Sequence, residues 1–204
     1  WGEDCLEKID GMFAFAIYDS LKKLIFLARD ISGQKPLYYS LENGSFIFSS
    51  EIKSIKALDS NLSKVNKNAI YKYFNEGYIP RDQSIYSSIQ KLPSSHFMIF
   101  DLVSRETKIS LHYDLLEKAS SLNFKQSSYD PNKTLNTLDK LLDESVKNSL
   151  VSDVPLGILL SGGLDSSLIA AYASRHENNI KTFSVIFPNH AKYNEQFHAK
   201  KVAD

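Results

Sequence analysis

The chain has 204 residues, and its 24 Lys and Arg balance 24 Asp and Glu to a formal net charge of zero. That balance gives no electrostatic reason to expect nucleic acid or an anionic membrane as a partner. The single cysteine, Cys5, excludes an intramolecular disulfide and favours a reducing compartment such as the cytoplasm. No apolar run approaches the roughly 20 residues that a membrane-spanning helix needs.

Residues 1–114 are predicted to form an α+β domain built on antiparallel strands. Strands are predicted at 13–18, 24–28, 37–41, 46–48, 96–101 and 107–113, and short helices at 51–58 and 69–74. The Asn43–Gly44 pair is the strongest short hairpin signal. Ser50 is expected to cap the first helix, and Asn66 or Asn68 the second. Antiparallel pairs of this kind are typical of a sandwich of two sheets.

A polar stretch at 115–131 interrupts this pattern and is predicted to be a linker. Residues 132–204 then alternate helix and strand. Helices are predicted at 133–150, from about 165 to 176 and at 193–204, and strands at 157–160 and 182–187. Such alternation predicts a parallel, doubly wound α/β sheet, in which ligands bind at the carboxyl ends of the strands.

The most specific pattern follows an apolar strand and opens a helix: Ser161-Gly162-Gly163-Leu164-Asp165-Ser166-Ser167. Its five fixed positions match by chance roughly once per million start points. Both glycines are expected to adopt unusual dihedrals and to let the backbone approach phosphate oxygens. The N–H groups that begin a helix favour an anion, and three serines offer hydroxyl donors. Asp165 alone would repel phosphate, so it is expected to hold a bridging Mg²⁺.

This loop is therefore predicted to bind the β,γ-phosphates of ATP as pyrophosphate. It is not a Walker A loop, because Gly-x-x-x-x-Gly-Lys-Ser/Thr occurs nowhere and no lysine follows the glycines. A site that binds pyrophosphate suits attack at the α-phosphorus, which transfers AMP. The alternative is a Gly-Gly turn whose Asp and Ser only cap a helix.

Other segments carry a resemblance to one protein family. The loop resembles the pyrophosphate loop of the ATP-pyrophosphatase superfamily, and the preceding 152–160 (SDVPLGILL) resembles glutamine-hydrolysing asparagine synthetases in particular. The same resemblance is carried by 11–19 (GMFAFAIYD), 28–30 (ARD), 35–39 (KPLYY), 50–53 (SEIK), 77–80 (GYIP) and 91–93 (KLP). The likeness covers nearly the whole chain in order.

The resemblance implies two partial domains. A glutaminase domain of the N-terminal-nucleophile type would occupy 1–114, and the opening of an ATP-dependent synthetase domain would occupy 132–204, with 115–131 as the linker. Glutamine, aspartate and ATP would be the small-molecule substrates. Ammonia from glutamine would displace AMP from a β-aspartyl-AMP intermediate and form asparagine.

The resemblance also implies roles for individual residues. Those expected to hold the pyrophosphate are Ser161, Gly162, Gly163, Asp165 and Ser166, with Asp165 next to Mg²⁺. The backbone at Leu159 and Val185 would contact the adenine.

The chain departs from the family at the glutaminase site. The family nucleophile is a cysteine directly after the initiator Met, a context that Cys5 lacks, so Cys5 is expected to be a packed thiol. The family's glutamine-binding segments and its downstream Ser-Gly-Glu-Gly-x-Asp-Glu motif are also absent. No glutaminase catalytic residue is therefore predicted here, and the chain as given is expected to complete no reaction. The Arg-Asp-Arg of the family is Arg29-Asp30-Ile31 here, so Ile31 replaces the second arginine. Arg29 and Asp30 are expected to form a structural ion pair.

Two other functions stay open at this point. A related amidotransferase acting on another carboxylate, such as a sugar uronic acid, would use the same loop because the loop contacts only pyrophosphate. A glutaminase fold without activity would serve as a scaffold, although the intact loop argues against decay of the synthetase part. The family also implies a homodimer, for which no residue pattern identifies an interface.

Overall fold

The computed structural model describes residues 1–80, 82–121, 130–190, 192 and 194–204. The chain divides into two compact units, Trp1–Asn123 and Phe124–Asp204. Residues 122–129, which belong to the expected linker, lie outside the described residues.

The first unit contains two antiparallel sheets. Its strands are β1 (Ala14–Asp19), β2 (Leu24–Arg29), β3 (Tyr38–Glu42), β4 (Ser45–Ser49), β5 (Gln90–Lys91), β6 (His96–Asp101) and β7 (Thr107–Leu111). One sheet has the order β1-β2-β6-β7 and the other β4-β3-β5. The antiparallel strand pairs expected from the sequence are confirmed. Strand β5 was not expected, because two residues are too few to produce an alternating pattern.

The two sheets pack face to face around an apolar cluster. Its buried members are Leu27, Leu37, Tyr39, Leu92 and Met98. The rings of Phe46 and Phe100, from β4 and β6, have centroids 4.3 Å apart, so side chains of the two sheets interdigitate. In the register of β2 and β6, Leu27 lies opposite Met98, while the next pair, Ala28 and Phe97, faces the other side of the sheet.

Each sheet is covered on its outer face by a short helical segment. Ala28 and Phe97 pack with Leu6 of the 3₁₀ turn Gly2–Lys8. On the other side, Ile55 of α1 (Ile52–Leu58) packs with Leu62 and Ile89 in a third cluster. The first unit therefore has four layers, with two sheets between helical turns.

The turn between β3 and β4 matches its sequence signal. Asn43 has φ 53° and Gly44 has φ 71°, as a type I′ hairpin turn requires at both central positions. Tyr39 of β3 then pairs with Phe48 of β4, so this dipeptide sets the register of the hairpin.

The helix caps of the first unit match the sequence in one case and not in the other. Helix α2 (Lys67–Glu76) is capped by Asn66, whose side chain accepts hydrogen bonds from the backbone N–H groups of Asn68 and Ala69. The expected Ser50 cap on α1 is wrong, because Glu51 occupies the N-cap position and makes no side-chain capping bond. Helix α3 (Leu115–Ser121) also belongs to this unit.

The second unit has a helix-strand-helix-strand-helix order. Its elements are α4 (Pro131–Ser149), β8 (Gly157–Leu159), α5 (Leu164–Ser174), β9 (Lys181–Phe183) and α6 (Gln196–Ala203). Strands β8 and β9 pair in parallel, with Leu159 opposite Phe183. Helix α4 begins at an Asp130 cap whose carboxylate accepts from the backbone N–H groups of Asn132 and Lys133. The parallel pair and its connecting helix match the expected alternation, while the doubly wound sheet stays a prediction.

Two expected elements of this unit differ most from the bounds that the sequence suggests. The strand expected at 182–187 ends at Phe183, because its partner β8 ends at Leu159 and offers no further ladder. The helix expected at 193–204 begins at Gln196, and position 193 lies outside the described residues.

Candidate functional site

The predicted loop lies at the carboxyl end of β8. Leu160, which follows the strand, is 2% exposed, and its backbone N–H donates to the carbonyl of Phe183 at 2.8 Å. The hydroxyl of Ser184 donates to the carbonyl of Leu160 at 2.6 Å. Both bonds join the end of β8 to the end of β9, so the loop begins from a fixed point at this edge of the sheet.

The loop itself is closed by two serine hydroxyls. The Oγ atoms of Ser161 and Ser166 are 3.0 Å apart. The N–H of Gly163 donates to Ser161 Oγ at 3.2 Å, and Ser166 Oγ donates to the carbonyl of Gly163 at 3.3 Å. The structure thus brings Ser161, Gly163 and Ser166 into one tight turn.

The two glycines have different roles in this turn. Gly162 has φ 80°, in the left-handed region, and a Cβ atom there would lie 2.5 Å from the carbonyl carbon of His198. Gly163 has φ −73° and is the N-cap of α5, and a Cβ there would meet only Ser161 Oγ at 3.3 Å. The expectation of unusual dihedrals at both positions is therefore wrong for Gly163, because the chain has already turned at Gly162.

Helix α5 starts directly from the turn and leaves backbone donors at its first residues. The N–H of Ser167 donates to the carbonyl of Gly163, which is the first bond of the helix. The N–H groups before it have no helical acceptor and carry the positive end of the helix dipole. This geometry suits a phosphate oxygen.

Asp165 lies in the first turn of α5 with its side chain exposed. Among residues 1–80, 82–121, 130–190, 192 and 194–204, no three His, Cys, Asp or Glu side chains group closely enough to hold a metal ion. A single exposed carboxylate beside a turn that suits phosphate fits the chemistry of Mg²⁺, which commonly takes one or two protein carboxylates and completes its shell with phosphate oxygens and water.

The two residues expected at the adenine lie at the same edge of the sheet. Leu159 is the last residue of β8 and is 79% exposed, and Val185 follows β9 and is 70% exposed. Both residues are therefore accessible to a ligand. A separate apolar cleft of about 400 Å³, which includes Leu156, Gly157 and Ile180, lies at the opposite, amino ends of these strands.

A polar cluster that the sequence did not reveal holds α5 against α4. The hydroxyl of Tyr172 donates to Asp139 at 2.9 Å, and this bond raises the pKa of Tyr172. Arg175 lies between the two α4 carboxylates, 3.5 Å from Asp139 and 3.4 Å from Asp143. His176 contacts Asp143 at 3.1 Å. The acidic pair spaced four residues apart on α4 is the sequence signal that could have identified the cluster.

Arg29 and Asp30 are buried side by side but do not pair with each other. The Arg29 guanidinium donates to the carbonyl oxygens of Lys35, Leu92 and Gly33 at 2.7, 2.6 and 2.5 Å. Burial lowers the pKa of Arg29. The expected ion pair is therefore wrong, because backbone carbonyls occupy the donors of Arg29.

The Asp30 carboxylate also binds the backbone of the loop that follows it, but as a hydrogen-bond acceptor. It accepts from the backbone N–H groups of Gln34 at 2.9 Å and Lys35 at 3.0 Å. Burial acts to raise the pKa of Asp30, but the backbone donors outweigh it and leave the pKa below its usual value. Both residues hold loop backbone, which is a structural role.

Cys5 is half-buried and packs with the cluster formed by Leu6, Ala28 and Phe97, as expected for a packed thiol. In the described part of the chain, no helix is both long enough and apolar enough to span a bilayer.

Comparison with known proteins gives two family matches. Residues 1–112 match the family model of the glutamine amidotransferase domain, and residues 137–204 match that of asparagine synthase. A putative glutamine-hydrolysing asparagine synthetase 2 of Methanocaldococcus jannaschii is 39% identical over 207 residues, which cover 100% of this chain and 38% of the relative. The glutamine-hydrolysing asparagine synthetase 3 of Bacillus subtilis is 33% identical over 95% of this chain and 31% of its own length. The chain thus spans between 31% and 38% of the length of these two relatives.

Proposed function

Because the chain belongs to the family of glutamine-hydrolysing asparagine synthetases, with residues 1–112 in the glutamine amidotransferase domain family, we propose that the intact protein converts aspartate to asparagine. Glutamine supplies ammonia, and ATP activates the β-carboxylate of aspartate. The products are asparagine, glutamate, AMP and pyrophosphate. The protein is then a ligase that forms a C–N bond.

The domain assignment is part of this proposal. Residues 1–114 form part of a glutaminase domain of the N-terminal-nucleophile type, and 132–204 open a doubly wound synthetase domain after the linker 115–131. The layered antiparallel sheets support the first assignment. The parallel β8–β9 pair supports the second.

The loop between β8 and α5 is the observation that carries the proposal. Ser161, Gly162, Gly163 and Ser166 form a turn in which the two hydroxyls and the N–H of Gly163 bond to one another, and the first N–H groups of α5, which follows, have no helical acceptor. In the reaction, a carboxylate oxygen of aspartate attacks the α-phosphorus of ATP, and the bond to the β,γ-unit breaks. Negative charge develops on the leaving pyrophosphate, and donors fixed in advance stabilise that charge.

Asp165 is the residue that would hold Mg²⁺ beside the phosphates. The ion would neutralise phosphate charge and orient the leaving group. Asp165 fits this role because its carboxylate is exposed in the first turn of α5, next to the loop. The backbone at Leu159 and Val185 borders the adenine, since both lie at the strand ends beside the loop.

Ammonia then attacks the carbonyl carbon of β-aspartyl-AMP. The C–O bond to AMP breaks, AMP leaves with the bonding electrons, and the nitrogen loses a proton to give the amide. Holding the reactants together makes this step effectively unimolecular. We place the protein in the cytoplasm, which the single cysteine supports, and propose a homodimer, which light scattering of the intact protein tests.

Pyrophosphate release by the intact protein tests the function. Mg-ATP and glutamine are supplied with and without aspartate, and asparagine is quantified. We expect release that depends on aspartate and equals the asparagine formed. ATP turnover that ignores aspartate would redirect the assignment to an amidotransferase for another carboxylate, such as a uronic acid. Absence of pyrophosphate under all conditions would favour a scaffold.

A further inference from the structure

The first turn of α6 packs directly on the loop of the candidate site. A Cβ atom built on Gly162 would lie 2.5 Å from the carbonyl carbon and 2.6 Å from the Cβ of His198, and 2.6 Å from the backbone nitrogen of Ala199. These neighbours are mainly backbone atoms and cannot rotate away. The bend of the loop is therefore in van der Waals contact with a second helix.

The loop is held from two sides as a result. From within, the hydroxyls of Ser161 and Ser166 bond to each other and to Gly163. From outside, α6 covers Gly162, the one loop residue in the left-handed region at φ 80°. Glycine loses more backbone freedom on folding than any other residue, so the conformation of Gly162 depends on such contacts.

Position 199 is a buried site in the first turn of α6. Ala199 is 3% exposed, and its backbone N–H donates to the carbonyl of Glu195 at 3.0 Å within the first turn of α6. A larger side chain at a buried site must displace its neighbours, because protein interiors are close-packed. Here such a displacement moves the turn that covers Gly162.

We propose that Ala199 is a positioning residue for the pyrophosphate loop. Its small side chain lets α6 lie against Gly162 and fixes the loop in the shape that binds pyrophosphate. Ala199 contacts no substrate itself and acts through the backbone of the loop. This inference rests on the proposed function and adds a residue that lies outside the Ser-Gly-Gly motif.

The test compares Ala199→Leu with Ala203→Leu in the full-length protein. Both substitutions lie on α6, but Ala203 is exposed and makes a matched control. Binding of inorganic pyrophosphate with Mg²⁺ is measured by calorimetry, together with the KM for ATP. For Ala199→Leu we expect the affinity for pyrophosphate to fall about tenfold and the KM for ATP to rise by a similar factor. This is the effect expected from the loss of about one charge-assisted hydrogen bond. Glutaminase activity should stay at the wild-type level, and Ala203→Leu should change pyrophosphate affinity less than twofold.

A series of substitutions of increasing size at position 199 keeps the test valid if the leucine variant does not fold. Affinity should fall in the order Ala199→Ser, Ala199→Val and Ala199→Leu, as the side chain grows. A folded series with constant pyrophosphate affinity would overturn the proposal.

Amide hydrogen exchange at residues 162–165 separates this inference from the proposed function. Exchange there should accelerate in Ala199→Val and not in Ala203→Leu, whether or not the wild type binds pyrophosphate. Wild-type protein that fails to bind pyrophosphate refutes the proposed function. Unchanged exchange in Ala199→Val refutes the positioning role.

Discussion

The hydroxyl oxygens of Ser161 and Ser166 lie 3.0 Å apart across the turn that joins β8 to α5. Each hydroxyl also bonds to the backbone of Gly163, one to its N–H and the other to its carbonyl. The two side chains therefore close the turn before any ligand is present. A loop with this internal bonding loses little conformational freedom when it binds phosphate, which favours affinity.

Removing one of these hydroxyls should weaken nucleotide binding. For Ser166→Ala we expect the KM for ATP in pyrophosphate release to rise about tenfold, the effect of losing one hydrogen bond and loosening the turn. Ser174→Ala is the matched control, because Ser174 lies at the far end of the same helix and its hydroxyl donates to the carbonyl of Ala171. Equal KM values for the two variants would contradict a role for the Ser166 hydroxyl.

Asp165 should be required for ATP turnover but not for glutamine hydrolysis. In Asp165→Asn we expect Mg-ATP turnover to fall about a hundredfold or more, because the phosphates lose the ion that offsets their charge. Glutaminase activity of the intact protein should persist. Glu144→Gln, at an exposed position on α4, controls for the loss of a surface carboxylate. Normal turnover by Asp165→Asn at all Mg²⁺ concentrations would refute the metal assignment.

Asp30 should make the first unit sensitive to acid. Its pKa in the folded protein lies below the usual value, because backbone N–H groups of Lys35 and Gln34 bond to the charged form. A depressed pKa means that the unfolded chain binds the proton more readily. The contribution of the charged Asp30 carboxylate to the stability of the fold is then complete above the unfolded pKa of about 4. It is lost as the pH falls through the folded pKa.

Asp30→Asn should therefore lower the melting temperature most at neutral pH and least in acid. Thermal unfolding between about pH 3 and 7 measures the difference from the wild type. Asp10→Asn provides the control, since Asp10 is exposed. A difference that stays constant over the whole pH range would contradict the role of the charged carboxylate.

The contact between α4 and α5 should depend on the hydroxyl of Tyr172. This side chain is 7% exposed, and its hydroxyl donates to Asp139. Tyr172→Phe keeps the ring but leaves a carboxylate without that donor, so we expect the melting temperature to fall by a few degrees. Tyr71→Phe, at a position that is 68% exposed on α2, should change it little. A melting temperature unaffected by Tyr172→Phe would argue that Arg175 alone holds Asp139.

The sequence predicted the features that depend on local backbone chemistry. Asn43 and Gly44 were recognisable because a tight hairpin turn needs two residues that tolerate positive φ, and Asn66 because its short side chain caps a helix start. The Ser161 to Ser166 loop was recognisable for the same reason, since its spacing is local.

Features that depend on residues distant in the chain were missed or misjudged. The sequence does not show that Leu92 lies next to Arg29. The carbonyl of Leu92 accepts a hydrogen bond from the Arg29 guanidinium, which does not pair with Asp30. The end of β9 at Phe183 is set by the length of its partner, which local apolar character does not encode. The packing of α6 on Gly162 likewise joins residues that are far apart in sequence.

That packing has a consequence for the evolution of this family. Backbone atoms of His198 and Ala199 occupy the space beside Gly162. A substitution of a side chain on α6 therefore cannot by itself make room for a larger residue at position 162. Homologous chains that replace this glycine must also shift or lose the following helix. We therefore expect substitutions at position 162 to occur together with insertions, deletions or altered helix starts near 194–199, and scarcely ever alone.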